Sequence, residues 1–166
     1  MPQTSVTLNK SFSMEGQVDE SAPHFRQSCV VDETNGVPFG RAVTLKTAAT
    51  IDGNALVDLV AGTSEAAAAF GVAARNPTYP TNSKTIANGD GVAIVRAGII
   101  VVQVEDAVTA GSTPFIRGTA GATLTELGRF RSDDGDEGGG ALAAARTGWE
   151  YLDSGAAEAF VRVWVK

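Results

Sequence analysis

Short runs of alternating apolar and polar residues, separated by glycine-containing turns, recur along most of this chain. In the C-terminal run 159–166 every second residue is alanine or valine, and the side chains between them include Phe160, Arg162 and Trp164. Alternation with a period of two over this length predicts a β-strand. Such strands at intervals of about ten residues predict an all-β fold, a compact barrel or sandwich of short antiparallel strands.

Several other segments carry the same kind of signal. Further strands are predicted at 28–33, 55–62, 70–75, 92–96 and 99–105, from 114 onwards, and within 146–155. In the segment 34–45, Asn35–Gly36 predicts a turn and Pro38 a strand start or an edge. The alanine-rich segment 64–69 interrupts the pattern and predicts a single helical turn. Residues 76–91 predict a loop, because they are rich in Pro, Asn and Gly. The fold is therefore expected to contain at most one short helix.

The most apolar stretch of the chain lies between residues 92 and 105. Its two halves, 92–96 and 99–105, flank Ala97–Gly98, which predicts a tight β-hairpin with its turn at these two residues. Apolar side chains occupy both faces of the second strand over 99–102. We therefore expect that end of the strand to be buried on both sides, or to be covered by a neighbouring subunit.

The first 25 residues are polar and show no sustained period. This pattern has two interpretations, a disordered terminus or an extended arm that becomes ordered on a neighbour by strand addition. The segment 5–8, which contains Val6 and Leu8, has the β character that strand addition requires. The predicted organisation is an extended N-terminal arm over 1–25 and a β-barrel or sandwich domain over 26–166.

Composition and charge narrow the classes of partner. The 166 residues are 43% hydrophobic, which suits a globular domain with a core. A formal net charge of −6 disfavours binding to nucleic acid or to an anionic membrane, because both require a basic surface. The N-terminus lacks the apolar core of a signal peptide, and the single cysteine, Cys29, cannot form an intrachain disulfide. Synthesis in a reducing cytoplasm is expected.

The candidate reactive groups do not assemble into a catalytic or metal-binding pattern. The only histidine, His24, lies in the predicted arm, where a general base would be poorly positioned. Cys29 is expected to be a small core residue. The acidic segment 133–137 does not match a calcium loop, because glycine and glutamate miss the required positions. The sequence predicts no catalytic site, no cofactor and no metal site, and a solvated loop is expected at that segment.

Three segments and the C-terminal strand carry a pattern beyond the strand signal. They are VPFGRAV at 37–43, FGVAAR at 70–75, the glycine-bounded run 89–118 and the closing strand 157–166. Together they resemble the structural cement, or head decoration, proteins of tailed bacteriophages. The resemblance implies a protein without enzymatic activity that binds the outer surface of an assembled virion head. It also implies a homotrimer that clamps adjacent subunits of the major capsid protein, made in the cytoplasm of the host bacterium.

An interaction surface is predicted from apolar and aromatic side chains in excess of those that a small core requires. The proposed interface residues are Val6, Leu8, Phe12, Ile99, Val101, Phe160, Arg162 and Trp164. For the last three, the alternative is that a loop or the arm covers their side of the C-terminal strand. Two other classes of function stay open, a ligand- or carbohydrate-binding β module of a phage tail or adhesin, and a head-associated hydrolase.

Overall fold

Short β-strands provide nearly all the regular structure of the residues described by the computed structural model, which are 14–51, 53–76, 84–119, 127–135 and 141–166. The strands are β1 (Phe25–Val31), β2 (Val37–Pro38), β3 (Ala42–Ile51), β4 (Asn54–Leu59), β5 (Gly71–Ala74), β6 (Thr85–Ile86), β7 (Gly91–Gln103), β8 (Phe115–Arg117), β9 (Phe130–Arg131), β10 (Ala143–Ala145), β11 (Glu150–Tyr151) and β12 (Phe160–Val165). The helix α1 (Thr63–Ala67) has five residues, so the predicted single turn is confirmed. The described part of the chain holds no helix that is long and apolar enough to cross a membrane.

Five of the strands close into a barrel. Their order is β1, β4, β3, β5 and β7, and β7 pairs with β1 to complete the ring. Neighbouring strands are antiparallel except β1 and β4, which run parallel over 29–31 and 55–57. Closure leaves these five strands without a free edge along their paired lengths. The predicted all-β barrel is therefore confirmed, with one parallel contact in it.

The interior of the barrel is filled by apolar side chains that alternate along its strands. Ala73 of β5 and Ile94 of β7 belong to this buried cluster. The two-residue strands β2 and β6 pair with each other and bring Val37 and Ile86 into the same cluster. Cys29 also lies there and is 2% exposed, as expected for a core residue. Strand β6 falls within the segment predicted to be a loop, so that prediction is wrong at Thr85–Ile86.

The prediction of a hairpin turn at Ala97–Gly98 is also wrong. Residues 91–103 form one continuous strand of 13 residues, β7. Gly98 lies inside this strand with a φ of 128°, and a Cβ atom there would lie 2.6 Å from the Cβ atom of His24. Glycine is required at this position because the chain at His24 passes close to the strand. In the sequence, a glycine within an apolar run is also typical of a hairpin turn, which is why the pattern predicts one here.

A β-bulge at Arg96 changes which side of β7 faces the core. The register between β1 and β7 shifts between Phe25 and Arg26, which leaves Arg96 as an extra residue on β7. Val95 and Ile100 consequently pack in the same buried cluster, although strict alternation would place residues five positions apart on opposite sides. Because of the bulge, side chains from the first half of β7 pack in the barrel interior, and side chains from its second half pack in a second hydrophobic core.

This second core lies against the outside of the barrel. It is covered by β12, which pairs with the second half of β7, by β11, and by a separate sheet in the order β10, β8, β9. Val72 of β5 points into it, while the neighbouring residue Ala73 belongs to the barrel interior. Trp149 and Tyr151 are both buried in the second core, so the prediction that they share a face is confirmed. Trp149 also stacks on Phe130, with 6.3 Å between ring centroids.

Residues 14–19, which we call the N-terminal segment, lie along the edge of β7 opposite β12. The N–H of Gly16 donates to the carbonyl of Val101, and the N–H of Val101 donates to the carbonyl of Gln17, both at 2.8 Å. Val18 pairs with Ile100 and is 8% exposed. The division into an arm over 1–25 and a domain over 26–166 stays a prediction, because residues 1–13 lie outside the described residues. The N-terminal segment itself packs on the barrel.

Candidate interaction surfaces

Strand β12 has one buried side and one exposed side. Val161, Val163 and Val165 are at most 1% exposed and pack in the second core. On the opposite side Phe160 is 43% exposed and Trp164 is 44% exposed. The alternation predicted for the C-terminal run is confirmed, and two large aromatic side chains are left partly open to solvent.

Phe25 extends this exposed side across β7. Trp164 pairs with Ile99 on one edge of β7, and Phe25 pairs with Ala97 on the other edge. Ala97 and Ile99 are two residues apart in an extended strand, so their side chains leave the same side. Phe25 is 55% exposed. We call the surface formed by these aromatic residues and the arginine between two of them the aromatic face, which consists of Phe25, Phe160, Arg162 and Trp164.

Charged residues on and beside the aromatic face occur as pairs. Arg162 donates from Nε and Nη2 to the carboxylate of Asp153 at 2.9 and 2.7 Å. Lys166 Nζ lies 3.2 Å from the Glu150 carboxylate and 4.1 Å from the centroid of the Trp164 ring. The hydrogen bonds from Arg162 hold the pKa of Asp153 below its usual value. The Arg162–Asp153 pair therefore stays ionised well into the acidic range.

The predicted interface residues fall in different environments. The three on β12 lie on the aromatic face. Ile99 is half-buried between β12 and the N-terminal segment, whereas Val101 is 0% exposed and belongs to the interior of this chain. Val6, Leu8 and Phe12 lie outside the described residues. Consecutive burial of residues 100–102 agrees with the expectation that both sides of this stretch are covered.

Glu15 places a buried carboxylate among arginine side chains. Its Oε1 atom lies 3.6 Å from Nε of Arg41, and the two side chains are 20% and 10% exposed. Burial raises the pKa of Glu15, against the opposing charges of Arg41, Arg129 and Arg75. Burial lowers the pKa of Arg41 to about 10, and Glu15 opposes that shift. The N-terminal segment is thus fixed on the barrel by an ion pair as well as by backbone bonds.

A second buried ion cluster joins the outer sheet to β7. Glu105 follows β7 and accepts from Nε and Nη2 of Arg117 at 2.8 and 2.7 Å. Arg131 donates to the same carboxylate at 3.1 Å, and Nε of Arg129 lies 4.0 Å from it. The glutamate side chain is 9% exposed and the arginine side chains are 10–14% exposed. One carboxylate therefore lies among three guanidinium groups and ties β8 and β9 to the barrel.

The groups considered for catalysis or metal binding are engaged elsewhere. His24 Nε2 lies 3.4 Å from the Glu20 carboxylate, and burial raises the pKa of the Cys29 thiol. Asp133 accepts from Arg131 and from the N–H of Gly135. Within the described ranges, no group of three or more His, Cys, Asp or Glu side chains could hold a metal ion. Residues 136–137 of the acidic segment lie outside those ranges.

One cavity of about 250 Å³ lies beside β2 and β6. Its lining consists of Glu33, Asn35, Gly36, Pro38, Leu59, Thr85 and Leu127. A small-ligand pocket is typically lined by aromatic side chains with a few converging polar groups. The lining of this cavity contains no aromatic ring among the described residues, so it gives no support to a carbohydrate-binding module.

Asp58, which lies near this cavity, has a raised pKa. Burial raises the pKa of Asp58 to about 6, and a hydrogen bond with Glu33 and the charge of that carboxylate add to the effect. Lys46 Nζ lies 3.6 Å from Asp58 and opposes it. Because the pKa of Asp58 is higher in the folded than in the unfolded protein, the folded state binds more protons. The contribution of Asp58 to the free energy of unfolding therefore decreases as the pH rises from about 4 to about 6.

We expect Asp58→Asn to raise the free energy of unfolding by about 1 kcal/mol at pH 8, where the carboxylate of the unmodified chain is charged. At pH 4 the substitution should have little effect, since Asp58 is then protonated. Urea denaturation at both pH values measures the difference. Asp90→Asn, at an exposed position, is the matched control and should show no such dependence on pH. An equal gain at both pH values would contradict the assignment to Asp58.

Comparison with known proteins gives one family and a similar fold. The family described as "Structural cement protein (E217 gp24/Pam3 gp6)" matches residues 1–165. A chain from the capsid of Myoviridae phage XM1 has a TM-score of 0.68 at 19% identity, with 99% of this chain and 96% of that chain covered. The head fibre gp8.5 N base of bacteriophage phi29 has a TM-score of 0.42 at 13% identity, with 86% and 95% covered. No curated protein matches the sequence.

Proposed function

This chain belongs to the phage structural cement protein family, and from that membership we propose that it binds the outer surface of an assembled phage head and ties neighbouring major capsid subunits together. Membership gives it a structural role in the virion, in association with the capsid. The observation that carries the proposal is the extent of the match, which includes the N-terminal residues and the aromatic face. A ligand- or carbohydrate-binding module is not favoured.

The proposed mechanism is stabilisation by mass action. A protein that binds the assembled shell, and does not bind dispersed subunits, stabilises the shell by about 2.7 kcal/mol per site at a free concentration of one hundred times Kd. This stabilisation is gained at every occupied site. Summed over the shell, even a modest affinity would therefore stabilise the head against the internal pressure of packaged DNA. No bond is made or broken in this role, and we assign the chain no enzymatic activity.

Residues 1–13 are proposed as the part that reaches the capsid. The anchoring of the N-terminal segment by Glu15 and by its bonds to Val101 supports this assignment, because it fixes the base of an arm on the barrel. Val6, Leu8 and Phe12 are the apolar side chains within these residues that would enter the contact. The barrel is proposed to assemble as a homotrimer on the head.

Deleting residues 1–13 should abolish binding to expanded empty heads and leave the barrel folded. The deletion stops before Glu15 and Val18, so the bonds between the N-terminal segment and β7 are retained. Co-sedimentation with purified heads gives the affinity, and electron cryomicroscopy of the same mixtures gives the position of the bound protein. We expect a loss of more than about tenfold in affinity, equivalent to 1.4 kcal/mol.

The control keeps the length of the arm and changes only its apolar residues. In the triple variant Val6→Ser, Leu8→Ser and Phe12→Ser we expect a similar loss of affinity if side-chain contacts drive binding. Full affinity in the deletion variant would refute the role of residues 1–13. Density for the bound full-length chain inside the shell, and none outside, would refute the proposed location.

A further inference from the structure

The aromatic face leaves three large aromatic side chains without full burial in this chain. Three aromatic side chains on it are between 43% and 55% exposed. They lie on β1 and β12, on either side of the half-buried Ala97 and Ile99 of β7. Exposed aromatic side chains on one side of a sheet favour an interaction site, because aromatic residues and arginine are enriched in such sites.

From this arrangement we infer that the aromatic face is the surface through which one copy of this chain contacts a second copy. The inference deepens the proposed function, since it rests on the self-association named there and assigns it to particular residues. It replaces the buried Val101 with Phe25 as a contact residue, because Val101 is 0% exposed and Phe25 is 55% exposed.

The charge of the face selects a second copy as its partner. The chain has a formal net charge of −6, so two copies repel each other over most of their surfaces. Arg162 on the aromatic face and Lys166 beside it are each paired with a carboxylate, which leaves these four side chains with no net charge. The buried Asp19 also lies near Arg162. Copies can therefore approach through this face without the repulsion that other faces impose.

Contact through side chains is favoured over strand addition. The edge of β12 that faces away from β7 is already paired with β11, where Glu150 lies opposite Trp164 and Tyr151 lies opposite Val163. The edge of β7 opposite β12 is occupied by the N-terminal segment. Little unpaired backbone is left at this place for another strand, whereas the aromatic side chains project from the face of the sheet.

Trp164→Glu tests the inference directly in the purified full-length chain, without heads. The side chain is 44% exposed, so the substitution should leave the fold intact and place uncompensated charge in the contact. Light scattering over a concentration series should show an oligomer for the unmodified chain and at least a hundredfold weaker association for the variant. Phe160→Glu is a second variant that should act in the same direction.

Leu45→Glu is the matched control, because Leu45 is 39% exposed but lies on β3, away from the aromatic face. It should associate like the unmodified chain. An oligomer that persists unchanged in both β12 variants would overturn the inference. That result would not count against the proposed binding to the head. An unmodified chain that is monomeric at all concentrations, or equal dissociation in Leu45→Glu, would overturn it as well. Head binding is measured separately, so its failure would count only against the proposed function.

Tryptophan fluorescence gives a second readout that reports on the residue itself. The chain contains two tryptophans, of which Trp149 is 2% exposed and Trp164 is 44% exposed. Acrylamide should quench Trp164 strongly in dilute samples and weakly in concentrated ones, where a second copy covers it. The difference between the unmodified chain and Trp164→Phe isolates this signal. Quenching that is independent of concentration while the chain oligomerises would show that the contact lies elsewhere.

Discussion

Glu105→Ala is expected to lower the free energy of unfolding by about 3–5 kcal/mol, the range observed when one partner of a buried ion pair is removed. The reason is local, since this carboxylate accepts three hydrogen bonds from Arg117 and one from Arg131. The side chains of Glu105 and of the arginines around it are at most 14% exposed. The substitution takes this buried carboxylate away from Arg117 and leaves Arg129 and Arg131 with only their more exposed carboxylate partners. Urea denaturation followed by tryptophan fluorescence measures the loss, because Trp149 lies in the adjacent core.

Glu158→Ala is the control for this prediction. Glu158 pairs with Arg129 at 2.6 Å, but its side chain is 59% exposed, so its loss should cost less than about 1 kcal/mol. The two glutamates thus contact the same arginine and differ in burial. Equal destabilisation by both substitutions would show that burial does not set the strength of the Glu105 cluster.

Deleting residues 1–19 should destabilise the protein by about 3–5 kcal/mol, whereas deleting residues 1–13 should change its stability by less than about 1 kcal/mol. The longer deletion removes Val18 from the second core, breaks the backbone bonds to Val101 and leaves Arg41 buried without Glu15. Denaturant unfolding of both truncated chains gives the comparison. Glu15→Gln separates the ion pair from the backbone bonds and should reproduce only part of the loss.

The result would be informative in either direction. If both deletions leave the stability unchanged, the N-terminal segment does not contribute to the barrel, and the bonds of Gly16 and Gln17 to β7 do not persist in solution. If both deletions are equally destabilising, residues 1–13 support the fold and cannot be assigned only to capsid binding. The expected pattern places the boundary between arm and barrel at residues 13–14 and not at residue 25.

The regular part of the fold could be predicted because it depends on local patterns. Strict alternation at β12 and short apolar runs elsewhere identified most strands, and the alanine-rich segment identified α1. Gly98 misled the prediction, because a glycine within an apolar run is compatible both with a turn and with close approach of another segment. Only the position of His24 in space decides between them. The bulge at Arg96 has no local signal at all.

The candidate surface was only partly accessible from the sequence. The exposed side of β12 was found because the alternation extends over a whole strand, but Phe25 was missed, since it lies at the junction between a polar segment and β1. The clusters around Glu15 and Glu105 were missed for a related reason. Their members come from distant parts of the chain, and nothing in a sequence of net charge −6 distinguishes these arginines from ordinary surface residues until the fold brings them together.

The attachment of the N-terminal segment to β7 has a geometric consequence for assembly on a lattice. Thirteen residues of fully extended chain span at most about 45 Å. The proposed arm would start two residues before Gly16, which is bonded to the same strand that pairs with β12, so its start would lie at a fixed distance from the proposed contact between copies. If residues 1–13 bind the capsid as proposed, their length would limit how far the capsid contact can lie from the barrel. Lengthening the arm by a glycine–serine insert between residues 13 and 14 would increase that distance without altering either contact.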